Sequence, residues 1–156
     1  MICKVSFMIS LVFIVGYLIH AFTVDKYGIS QKFRATLNTH QEAIYDKIVK
    51  ERIWLSIKGY LLGLFVAVVI IIDNYINRRV KDLPTNIAIA TATTFIIHYF
   101  YYILSPKSDW MVLHLDHKTQ RDAWVNVYRE MQWGFHSGIF IGIVGVAILA
   151  SAFKCK

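Results

Sequence analysis

The chain has 156 residues, 56% of them hydrophobic and 17% charged, and its mean hydropathy is +0.48. That is more apolar side chain than a soluble domain of this size can hide, and two prolines, eight glycines and two cysteines exclude a disordered tail, a collagen-like fibre and a disulfide scaffold. Seventeen lysines and arginines against ten acids give a formal charge of +7, yet no block of like charge forms a nucleic-acid arm, so the excess fits lipid headgroups or an acidic partner.

Four apolar stretches, near 5–21, 53–72, 86–104 and 134–153, each approach the roughly 20 residues a helix needs to cross a hydrocarbon core about 30 Å thick. In lipid the backbone must satisfy its own hydrogen bonds, so such segments fold as helices. The expected fold is one membrane domain, 1–156: an all-α, four-span transmembrane helical bundle with an amphipathic helix and a projecting extension of the fourth helix on one face.

Span one follows Lys4. His20-Ala21-Phe22 is a poor small-x-small cleavage site, so the segment is expected to stay as an anchor. In the link that follows, Leu37, Ala43, Ile44 and Ile48 recur at helical spacing among charges, which predicts an amphipathic helix over 36–52 lying on the membrane or on a partner. Span two leads through a short link, 73–85, into span three, with Pro84 and Pro106 at the helix ends where proline is tolerated. Asp116 is a candidate N-cap for the next helix. From there Trp124, Tyr128, Met131 and Phe135 step by four, three and four and run without a break into span four. The spacing predicts a single helix from about Lys118 to Ala152, some four turns of it outside the bilayer at 1.5 Å per residue.

Four spans return the chain to its starting side. Both termini and the short link then share one side, A, while the exposed segments 22–52 and 106–133 share the other, B. Side A carries Lys4, Arg78, Arg79, Lys81, Lys154 and Lys156; side B carries ten basic residues, with Lys26, Lys32 and Arg34 close behind span one. The bias places side B in the cytosol.

Span four presents Gly134, Gly138, Gly142 and Gly145 at the spacing that lets a second helix backbone approach closely. Ala88 and Ala92 make span three the natural partner, and the same groove could instead join copies of the chain into an oligomeric channel. Ionisable groups inside spans invite a functional reading: His20, Lys58, His98 and His136 all fall near side B, where a proton relay or metal site is conceivable. The plainer reading is interfacial snorkelling within an aromatic belt of Trp54, Tyr60, Tyr99, Tyr101, Tyr102 and Trp133. His114-Leu115-Asp116-His117 lacks the spacing of a recognised zinc site and reads as a helix start. Cys3 and Cys155 are open to lipidation, to pairing or to neither. No GxSxG, HExxH, P-loop or Rossmann fingerprint is present, so no catalytic residue, metal or cofactor is expected.

Two resemblances follow from these residues. Arg34-Ala35-Thr36-Leu37-Asn38 with Glu42 is similar to the Arg-Ala-x-x-Asn stretch of the membrane-associated glutathione and eicosanoid enzymes. Here it lies some 15 residues ahead of span two, its Glu is one position late, and the tyrosine and arginine expected around the third helix are not matched by 98–106. Over 120–155, Trp124, Tyr128, Met131, Gln132, His136 and Gly138, with the glycine-rich span and the terminal Lys-Cys, resemble the C-terminal part of small multi-span proteins of nucleocytoplasmic large DNA viruses. That resemblance implies a minor structural component of the internal membrane beneath an icosahedral capsid.

The expected function is therefore a non-enzymatic integral membrane structural protein that fixes a bilayer to an overlying protein layer, a capsid or other coat. Trp124, Tyr128 and Met131 are the expected docking residues, and the alternative for the same stripe is to fold back against 36–48. The competing function is a small membrane enzyme or proton-coupled transporter using His20, Lys58, His98 and His136.

Overall fold

The computed structural model describes residues 3–22 and 28–153, without the side chains of 18–22. It is helical throughout, with no strand among the described residues: α1 (Lys4–Phe22), α2 (Ile29–Arg34), α3 (Thr39–Ile76), α4 (Leu83–Leu104) and α5 (Lys118–Ala152), with a 3-10 turn at Met111–His114 between the last two. By length and composition α3, α4 and α5 are able to cross a membrane, and α1 adds a shorter apolar stretch, Lys4–Tyr17.

α3 departs from expectation. The segment 36–52 does not form a separate helix lying flat, because 38 residues from Thr39 to Ile76 form one helix, about 57 Å long. Nothing between Thr39 and Lys58 breaks it: this stretch holds no proline or glycine. Its start is closed by a capping box in which Gln41 N–H donates to Asn38 Oδ1 and Asn38 N–H to Gln41 Oε1, satisfying two donors that a helix end leaves orphaned. It stops at Asn77, ahead of Arg78 in the left-handed region at φ 51°. α4 begins at the Asp82 N-cap, whose Oδ2 accepts from Thr85 N–H, with a proline in its first turn, and ends at Ser105 before Pro106. α5 runs unbroken over its 35 residues.

The long helices pair through glycines. In α5 the buried Gly142 and Gly145 admit α1: a Cβ at Gly145 would lie 3.0 Å from Phe13 Cβ, and one at Gly142 3.3 Å from Phe95 of α4 and 3.5 Å from Tyr17. Gly138 is buried and Gly134 half-buried, but Ala92 is exposed and Ala88 only half-buried. Span three is thus not the principal partner of the glycine stripe, and Ala92 faces outward. α4 packs instead on α3, where a Cβ at Gly63 would stand 2.6 Å from Thr94 O and one at Gly59 3.2 Å from His98. Gly59 and Gly63 form the G-x-x-x-G spacing in span two, a signal legible in the sequence and absent from the expectation above.

The two glycine-bonded pairs, α1 with α5 and α3 with α4, meet across a seam of rings. Phe135 of α5 lies 6.0 Å from His98, 6.1 Å from Tyr99 and 5.6 Å from Tyr102 of α4, while Tyr17 of α1 packs edge-on to Phe95 and shares a hydroxyl hydrogen bond with Tyr60. Cys3 is disulfide-bonded, and its N–H donates to Ala152 O at 2.9 Å, so α1 starts beside the end of α5. Cys155, Lys26, Lys154 and Lys156 lie outside the described residues.

Candidate functional site: a folded head at one end of the bundle

At the end of the bundle opposite Cys3, the residues from Gly28 to Arg52 and from Ser105 to Trp133 build a small unit with its own core, called the head below. Phe33, Tyr45, Ile48, Met111, Leu115 and Val127 are buried together. They come from α2, the first third of α3, the 3-10 turn and the first half of α5. Phe33, wholly buried, is gripped on two sides by rings, Tyr45 at 5.4 Å and Trp124 at 5.3 Å.

Two buried glutamines tie the pieces together. Gln41 Nε2 donates to His114 O (2.7 Å) and to Asp116 Oδ2 (3.1 Å). Gln120 Nε2 donates to Thr36 O (2.7 Å) and to Gln41 Oε1 (3.0 Å), and its own Oε1 accepts from Asp116 N–H (3.1 Å). The N-cap of α5 is accordingly His117, not Asp116: Gln120 reaches back over the helix start to the Asp116 N–H, while Gln41 of α3 takes the Asp116 carboxylate. Sequence reading offered no local signal for this knot, since its partners lie 79 residues apart.

The segment joining α4 to α5 is fastened to α3 by charge. Glu51 accepts from Ser108 N–H (2.8 Å) and Ser108 Oγ (2.9 Å), and Arg52 donates to Asp109 O (2.7 Å) while lying over the Trp110 ring. Hydrogen bonds from Ser108 hold the Glu51 carboxyl below the usual range, and those from His114 and Trp110 N–H do the same for Asp109. Lys107 donates to the carbonyls of Tyr102 and Ser105 (2.7 Å to the latter), closing the end of α4; burial, then the charge of Arg52, draws it below its usual value. On the far side of the head Arg34 pairs with Asp46 (2.5 Å) and Glu42 (3.2 Å) and lies over Tyr45, and the bond to Asp46 raises the guanidinium further. The Arg34–Asn38 stretch with Glu42 is thus an ion pair and a helix cap inside this chain.

The expected docking stripe is divided by the fold. Trp124 and Met131 pack against the head's own core, whereas Tyr128 is 47% exposed and accepts from Gln132 Nε2 at 2.7 Å. The outward face of α5 instead carries Arg121, Val125 and Tyr128, all exposed.

The ionisable residues do not converge. His98 is buried, its Nε2 is 3.0 Å from Ser56 Oγ, its ring is stacked 3.7 Å from Tyr60, and its Nδ1 has no hydrogen-bond partner among the described residues. Lys58 and His136 are exposed, the latter donating from Nδ1 to Gln132 O at 2.8 Å; the His20 side chain lies outside the described residues. His114 binds Asp109 and not a metal-ligand set, and no group of three or more metal-ligating side chains occurs among the described residues. No protein-family model, curated protein or solved structure matches the chain.

Proposed function

We propose that the protein is a non-enzymatic, multi-pass membrane protein that anchors a bilayer to an overlying protein layer. In this reading α1, α3, α4 and α5 all cross the membrane, the head stands on the cytosolic face, and the N-terminal third of α3 and the first half of α5 carry it away from the lipid. The observation that supports it most is the head itself, a unit with a separate apolar core and a glutamine knot at one end of apolar helices. A mere anchor needs no such unit. Its outward stripe on α5 pairs an aromatic and an aliphatic side chain with Arg121, a composition suited to a protein interface. The resemblance of 120–155 to small membrane proteins of large DNA viruses makes a capsid the candidate layer.

The test is a double substitution, Val125→Glu with Tyr128→Ala, in the membrane-embedded protein. Co-purification with the coat layer is expected to fall at least tenfold while the head stays folded. Undiminished association with an intact head overturns the reading. One observation favours a second function, a proton-coupled transporter or small enzyme: the buried His98 with its unpaired Nδ1 beside Ser56. Loss of a proton flux or lipid-modifying activity in His98→Phe, with expression unchanged, would establish that second function in place of the first.

A further inference from the structure

Span two carries one cation, Lys58. It is exposed, sits five residues beyond Ile53 where the apolar stretch begins, and has no hydrogen-bond or ion-pair partner among the described residues. One turn further along the same face is Leu62, and Leu62 forms a wall of an open groove of about 410 Å³ between α3 and α4. The opposite wall is Ile96, Ile97, Phe100 and Leu104 of α4, and the groove ends at Ser105. At 1.5 Å per residue the α4 wall is about 14 Å long. It is apolar from end to end except for the hydroxyls of Tyr101 and Ser105 near its mouth.

The helix register sets Lys58 beside this groove. Gly63 faces Thr94 and Gly59 faces His98, so the antiparallel pair brings Lys58 to the level of about residue 99 of α4, on the flank that Leu62 occupies. A lysine stem reaches roughly 6 Å and lays its methylenes on apolar surface while lifting the ammonium toward water. From this position the ammonium rises toward the Ser105 mouth.

We infer that this groove holds one anionic phospholipid, with an acyl chain along Leu62 and Ile97 and the phosphate at the Lys58 ammonium. The inference rests on the membrane placement of α3 and α4. Surface and charge select the ligand together: the groove is open and apolar, and Lys58, a cation without an ion-pair partner among the described residues, stands on its flank about 9 Å along the axis from Ser105, where Lys107 donates to the Ser105 carbonyl. A headgroup bearing its own ammonium would repel Lys58 in part, whereas a net anionic one meets it without that opposition.

The experiment uses the full chain in mild detergent, with native mass spectrometry and thermal unfolding as readouts. The probes are dioleoyl phosphatidylglycerol, dioleoyl phosphatidylcholine and inorganic phosphate. The wild-type protein is expected to retain one phosphatidylglycerol about fivefold in preference to phosphatidylcholine, the weight of one lysine at an anionic headgroup, and to gain nothing from inorganic phosphate. Lys58→Gln should lower the preference at least about twofold, Lys107 remaining at the Ser105 carbonyl, without changing unfolding in lipid-free detergent. Ile97→Trp, which fills the groove, should remove the retained lipid whatever its headgroup. An unchanged preference in Lys58→Gln, lipid retained by Ile97→Trp, or a shift produced by inorganic phosphate alone overturns the site. Alkaline carbonate extraction of membranes separates the two premises: a protein that resists extraction yet shows no lipid preference refutes the site alone, and one that is extracted refutes the membrane placement as well.

Discussion

Trp124 shows how a single side chain changes meaning once its surroundings are known. In the sequence it heads an aromatic stripe that suits a partner; in the fold it covers Phe33 at 5.3 Å and Tyr45 at 6.3 Å. Trp124→Ala is therefore expected to loosen the head by about 3 kcal/mol, the lower end for removing a core aromatic, seen as lost amide protection in 29–49 and 111–127 with or without a partner. Gln120→Leu leaves Thr36 O and Asp116 N–H without their bonds in a buried site, a loss of roughly 1–3 kcal/mol, and the same exchange measurement reads it. The fastening of 106–117 depends on pH through Glu51 and Asp109. Both carboxyls are held below their ordinary values by hydrogen bonds to the charged form, so their contribution is complete above the unperturbed carboxylate range near pH 4 and is lost as pH falls through the depressed values. Protection of 106–117, corrected for intrinsic exchange, should be level between about pH 7 and 5 and decline below about 4. A Glu51→Ala, Asp109→Asn variant should already be unprotected at pH 7.

Among the elements, glycine position decides which helices pair. A methyl group at Gly63 would meet backbone, Thr94 O at 2.6 Å, and backbone does not rotate away as a flexible side chain does. Gly63→Ala should force α3 from α4 at about 1–3 kcal/mol, the range for overpacking, whereas Gly16, whose Cβ would meet nothing within 4 Å, should accept alanine with no measurable change in thermal unfolding. The existence of the apolar helices, the unbroken α5 and the proline-marked ends of α4 were all legible from hydropathy and local chemistry. The partner of each helix was not, because a small-residue stripe states how closely a neighbour comes and not which neighbour it is. The continuity of α3 was obscured for a related reason. The change from the charged run ending at Arg52 to the apolar run from Ile53 is a change of composition, and a helix passes through such a change wherever no residue breaks its hydrogen bonds. Of the candidate site, Tyr128 was readable as an exposed aromatic, while the inward turn of Trp124 and Met131 follows from where α2 and the 3-10 turn lie, information distributed over some ninety residues.

For the whole molecule, the continuity of α3 and α5 is the consequential feature. A head joined to the bundle by loops would swivel; one whose two principal helices run on into the bundle inherits the bundle's orientation, and under the proposed function a bound layer would be held at a fixed tilt and a fixed height. The height follows from helix geometry: Thr39 stands 14 residues ahead of Ile53, about 21 Å along α3. Interrupting the helix should uncouple the two ends without destroying either. Lys50→Pro removes one hydrogen bond and sets a ring against the preceding turn, near the foot of the head and outside its buried core. The expected outcome is a bundle whose thermal unfolding is little changed and a head that retains its amide protection, but with a broadened distribution of distances between spin labels at Thr119 in the head and Ile72 in span two. The unsubstituted helix should give one narrow distribution for the same label pair. If the two distributions coincide while both ends remain folded, the height and tilt of the head are set by its packing against α5 and the 3-10 turn, and the continuity of α3 has no mechanical role.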